Sequence, residues 1–85
     1  MGDLPGRERA ILEALQRQDQ AAFKAAAHTL KGSANNIGGR RLGALCARLE
    51  ELASLGEWEA ARGLAGQLSA AIAALRAQLE AERQR

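Results

Sequence analysis

Eighty-five residues with 12 Lys and Arg against 10 Asp and Glu, a formal net charge of +2, provide for one small domain. The acids are interspersed with the bases and no basic stripe with aromatics appears, which argues against a nucleic-acid module; no long charge-free apolar run supports a membrane span. The hydrophobic share is 47% but the aromatic share only 2%, and β-branched residues are few, so strands are poorly supported and an all-α fold is expected.

Four helices are predicted in chain order. A short first one runs from about Pro5 to Arg17, with Pro5 tolerated in the first turn and Ile11, Leu12 and Leu15 on its inner side. The second occupies about residues 19–37: Asp19 is a suitable N-cap, Phe23, Ala27, Leu30, Ala34 and Ile37 form a buried stripe, and Gly38-Gly39 ends it. In the third, residues 40–55, Leu42, Leu45, Cys46, Leu49, Leu52 and Ala53 repeat at helical spacing until Gly56. The fourth is expected to span residues 57–82, since Trp58, Ala61, Ala65, Leu68, Ile72, Leu75 and Leu79 step by three and four. Gly63 and Gly66 weaken its early turns and suggest only close packing. Short connections between these helices predict an antiparallel up-down four-helix bundle, a single domain over residues 1–85.

The run Ala25-Ala26-Ala27-His28-Thr29-Leu30-Lys31-Gly32-Ser33 holds the one histidine of the chain. At about 100° per residue, Lys24, His28, Lys31 and Asn35 fall roughly 80–140° from the centre of the buried stripe, and Gly32 falls about opposite it. His28 is therefore expected to face solvent, with a cation and a missing side chain one turn on. An exposed neutral imidazole is a competent nucleophile and can accept a phosphoryl group. Lys31 could neutralise the charge so acquired, with Lys24 placed to help. Gly32 costs the helix about 1 kcal/mol relative to alanine, and clearance for an approaching partner is one reason to keep it. Against this stands the plainer reading of a lone surface histidine on a helix.

The longer pattern resembles the histidine-containing phosphotransfer (HPt) domains of bacterial multistep phosphorelays. Ala27 to Ala34, then Ile37-Gly38, Leu42, Leu45-Cys46 and Leu49-Glu50, follow that family's spacing, and Leu12, Leu15, Asp19 and Phe23 resemble its approach to the motif. The resemblance covers roughly residues 7–80. It implies a helical bundle acting as a phosphorelay intermediate in two-component signal transduction. In that reading His28 accepts a phosphoryl group from a receiver-domain aspartate and passes it to another, Lys31 is the charge partner and Gly32 the docking clearance. It also implies that magnesium and the acidic pocket belong to the receiver. A receiver is expected to dock on Lys24, His28, Lys31, Gly32 and Asn35, flanked by Arg40 and Arg41, although ordinary solvation explains those two arginines equally well.

With no Gly-rich nucleotide loop and no clustered carboxylates, autonomous ATP-dependent kinase activity is not expected, nor is a metal site or cofactor in this chain. Cys46 is read as core filler and Trp58 as an anchor for the fourth helix. The chain has no secretory signal, so cytoplasmic residence is expected. Two other functions stay open: a non-catalytic interaction or dimerisation module using the last helix, and the related phosphoacceptor domain of a chemotaxis-type histidine kinase, which has a similar His-x-x-Lys-Gly motif. The HPt family commonly has further helical sequence before the first helix, where this chain has Met1 to Gly6. An excised piece of a hybrid kinase, a short stand-alone form, or self-association over an exposed edge would each accommodate that.

Overall fold

The computed structural model describes residues 4–83, all-helical apart from its connections; residues 1–3 and 84–85 of the expected 1–85 domain lie outside it. The elements are α1 (Leu4–Arg17), α2 (Gln20–Asn36), α3 (Arg40–Ser54), α4 (Trp58–Ala65) and α5 (Leu68–Arg83). The first three match the predicted helices to within a residue or two at each end, the usual uncertainty of a helix boundary.

One device ends each of these three helices. After α2 the chain turns through Gly38 at φ +80, and the amides of Gly38 and Gly39 donate to the carbonyls of Asn35 and Ala34. After α3 it turns through Gly56 at φ +71, with the Gly56 and Glu57 amides on Ala53 and Leu52. After α1 the residue in this position is Gln18 at φ +53, and the amides of Gln18 and Asp19 donate to Leu15 and Ala14. All three are Schellman closures, which satisfy otherwise orphaned carbonyls and end each helix within two or three residues of the next. Asp19 then caps α2, its carboxylate accepting from the Ala22 amide at 3.1 Å.

The fourth predicted helix is divided. Gly66 and Gln67 interrupt it between α4 and α5, where the Gln67 amide reaches Leu64 at 3.0 Å in a tightened turn. Gly66 itself stays right-handed at φ −60, ψ −18, so the chain bends there without a left-handed residue. Two glycines within four residues weaken the helix enough for this. The apolar steps nevertheless continue: Ala61, Ala65, Leu68, Ile72 and Leu75 are all buried.

The core runs the length of a rod whose principal extents are 44 × 18 × 17 Å. Ile11, Phe23, Leu30, Leu42, Leu49 and Leu68 are fully buried, and Ala14, Ala27, Ala34, Ala53, Ala61 and Ala71 fill the space between them. Leu12, expected to face inward, is instead 41% exposed, because Ile11, Ala14 and Leu15 already occupy the inner side of α1. Ile37, the last residue of the α2 stripe, is only half-buried where it caps the helix. Trp58 does anchor α4: its ring meets Phe23 edge-on, 5.6 Å between centroids.

The packing of α2 on α3 positions the site. The Gln20 side-chain amide donates to the Ala53 carbonyl at 2.6 Å, tying the start of α2 to the end of α3. At the opposite end of the interface Asn35 lies over Gly43, and Gly39 is tight against the Ala34 carbonyl and Leu75; a β-carbon at either glycine would collide with these neighbours.

Candidate functional site

Midway along the α2–α3 face, three side chains from two helices converge. His28 is 70% exposed, as its angular position on α2 requires. Its Nδ1 stands 3.4 Å from Oε2 of Glu50 on α3, an electrostatic contact slightly longer than a tight hydrogen bond. The second oxygen of that carboxylate, Oε1, lies 2.8 Å from the Lys31 ammonium. Glu50 is thus shared between the imidazole and the lysine, one oxygen to each.

Lys31 differs from a freely solvated lysine. Its side chain is only 30% exposed, since it lies toward α3 with its head on a carboxylate that is itself 21% exposed. Glu50 Oε1 is buried and has no well-aligned hydrogen bond, so the ammonium is its compensating charge.

With Nδ1 facing the carboxylate, the neutral ring is favoured in the tautomer that carries its proton there. Nε2 then points outward with a free electron pair. Beside it the surface is bare. A β-carbon built at Gly32 would meet no heavy atom within 4 Å, so the fold itself does not require this glycine. Lys24 is exposed one turn before His28 on the same helix. The Thr29 hydroxyl donates to the Ala25 carbonyl at 2.9 Å and faces solvent.

The remaining expected residues lie farther off. Asn35 is exposed near the end of α2, its side chain toward Gly43. Arg40 and Arg41 open α3, ten and nine residues before Glu50, roughly 14–15 Å along the helix axis. They line a depression with Ala71, Ala74, Leu75 and Gln78 of α5. The structure therefore brings together His28, Lys31 and Glu50, with Lys24 and Gly32 adjacent, and leaves the two arginines at the end of the rod.

Glu50 has no role in the sequence reading beyond its place in the family pattern. Its contact crosses 22 positions of sequence, which helical periodicity does not register; the usable signal is an acidic residue one turn after Cys46 on the half-buried flank of α3. Cys46 is buried as expected, and desolvation, then the nearby Glu50 charge, push its thiol from the ordinary 9.0 up to about 11 despite the opposing charge of Lys31. It is a neutral neighbour of the site and a poor nucleophile.

Among the described residues no group of three or more His, Cys, Asp or Glu side chains could hold a metal ion. No helix among them is long and apolar enough to cross a membrane.

The site is thus an outward imidazole on a helical bundle, with a lysine and a bare turn beside it. The family model described as Hpt domain matches residues 2–78, and the chain belongs to that family. Membership implies phosphotransfer in phosphorelay signalling. No curated protein and no solved structure gives a significant match to the chain.

Proposed function

We propose that this domain is a relay intermediate in which Nε2 of His28 takes a phosphoryl group from the aspartyl phosphate of one receiver and yields it to an aspartate of another. The carrying observation is the shared Glu50 carboxylate, which directs the Nδ1 proton inward and leaves Nε2 as the outward nucleophile. In the forward step the Nε2 electron pair attacks phosphorus, the N–P bond forms, and the P–O bond to the receiver's carboxylate breaks with its electrons returning to that carboxylate. The Nδ1 proton stays in place. Lys31, and Lys24 from the preceding turn, supply positive charge for the transferring oxygens. Gly32 leaves the partner room to reach Nε2.

Magnesium belongs to the receiver in this scheme, whose acidic pocket suits a surface bearing Lys24, His28, Lys31 and Asn35, with Arg40 and Arg41 as outlying positive charge. The receivers place the domain in the cytoplasm. We further infer an antiparallel up-down arrangement. It is supported by connections of two or three residues, and by α2–α3 contacts that pair residue 20 with 53, 31 with 50 and 35 with 43.

The test is incubation of the purified domain with radiolabelled phospho-receivers. Acid-labile, base-stable label is expected on the wild type and none on His28→Gln. Label persisting on that variant would refute the acceptor assignment. Label arriving from a kinase and ATP but from no receiver would instead favour the chemotaxis-type reading. Absence of transfer from either, together with self-association in sedimentation, would favour the dimerisation module.

A further inference from the structure

The arrangement around Glu50 bears on what happens after His28 has been phosphorylated. A ring that attacks through Nε2 while keeping its Nδ1 proton becomes a phosphoimidazolium, positively charged at the edge facing the carboxylate. Loss of the phosphoryl group from this form is easy: water or an acceptor oxygen attacks phosphorus, the N–P bond breaks with its electron pair on Nε2, and a neutral imidazole departs. Once the Nδ1 proton is lost, the leaving group would be an imidazolate anion, and departure is slow. The proton at Nδ1 therefore decides whether the carrier is ready to discharge.

We infer that Glu50 is a positioning residue that retains the Nδ1 proton while Nε2 carries the phosphoryl group, holding phospho-His28 in its transfer-ready form. The inference rests on the acceptor reading of His28 and extends it to the loaded state. Three observations carry it: Oε2 is 3.4 Å from Nδ1, the carboxylate is largely shielded, and Oε1 is buried with Lys31 as its charge partner at 2.8 Å. When Lys31 turns toward the new phosphoryl oxygens, the carboxylate loses part of that compensation, and the imidazolium is the cation left beside it.

The other charges are accounted for. From α3, Glu50 faces the ring, while Glu51 is exposed and pairs with Arg48 at 3.9 Å, and Cys46 is a neutral thiol. From α2, Lys31 meets the same carboxylate and Lys24 lies one turn away in solvent. α1 also packs on α2, and among the described residues none of its charged groups forms an ion pair with His28.

Phosphoramidate, which transfers its phosphoryl group to imidazole nitrogen with release of ammonia, loads the domain without a receiver. Loss of the N–P signal is followed by phosphorus NMR across about pH 5 to 9 for the wild type and Glu50→Gln. Glu50→Gln removes a full negative charge 3.4 Å from Nδ1. The two proteins should decay alike near pH 5, and near pH 8 the variant should keep its label roughly five- to tenfold longer. A merely structural role would shift the rate equally at every pH; parallel or superimposable profiles overturn the inference. Nitrogen NMR of the loaded wild type at neutral pH gives a second measure that does not depend on how the variant folds: Nδ1 should show a directly bonded proton, and a bare, pyridine-like Nδ1 overturns the inference. If receivers fail to label His28 but these profiles differ as stated, the relay reading fails while the role of Glu50 stands.

Discussion

Gly32 separates the needs of folding from those of docking, and its replacement should move the two in opposite directions. A β-carbon there meets nothing within 4 Å, so no internal clash opposes a side chain. Alanine in a helix interior is favoured over glycine by about 1 kcal/mol, and glutamine keeps most of that advantage. In a domain of this size 1 kcal/mol corresponds to about 4–8 °C in Tm, so Gly32→Ala and Gly32→Gln should both melt several degrees above the wild type by circular dichroism. The same position is i+4 to His28, with β-carbons about 5–6 Å apart, so a glutamine side chain stands in the path to Nε2. Transfer from a phosphorylated receiver, measured by rapid quench, should slow at least about tenfold in Gly32→Gln, equivalent to roughly 1.4 kcal/mol in the barrier, and less in Gly32→Ala. Loading by phosphoramidate, a small reagent, should change little. A lowered Tm would show that the glycine serves the fold after all. A raised Tm with unimpaired transfer would refute docking clearance.

Two further outcomes follow from the turns and the core. Gln18→Gly should stabilise the domain by about 0.5–1 kcal/mol in urea denaturation, because φ +53 suits glycine and strains a residue with a β-carbon; a loss of stability would mean the glutamine side chain matters more than its backbone. For Cys46 the folded thiol keeps its proton to higher pH than the unfolded one, so the folded state binds more protons between about pH 9 and 11. Its contribution is complete below that window and is lost as pH rises through it. Stability should therefore fall more steeply there in the wild type than in Cys46→Ala, and equal slopes would contradict the shift.

The first three helices were legible because periodicity and punctuation agreed. Phe23, Ala27, Leu30 and Ala34 mark the inner side of α2, and Asp19 and Gly38 mark its ends. The bend at Gly66 was not, since the apolar steps from Ala61 through Leu75 keep their spacing across it and a bend that preserves phase leaves no trace in the pattern. Leu12 shows the related difficulty of a short helix, in which a residue 100° from Ile11 can fall on either side of the boundary. At the site, His28 and Gly32 could be placed from α2 alone. The direction of Lys31 could not, because its partner is on another helix: angular position left it at the edge of the buried stripe, and the Glu50 carboxylate draws its head toward α3. The distance of Arg40 and Arg41 from His28 is likewise set by how far α2 and α3 overlap, a tertiary quantity.

Behind the acceptor, the wall of the bundle is built to a large extent from alanine. Ala27 and Ala34 on α2 and Ala53 on α3 are fully buried, and none has a rotamer to change. Such a wall has little slack to take up, so a larger residue at any of them must push the helices apart and carry His28 away from Glu50 with them. Variation that looks conservative by hydrophobicity is therefore expected to act on the pairing of imidazole with carboxylate long before it unfolds the domain.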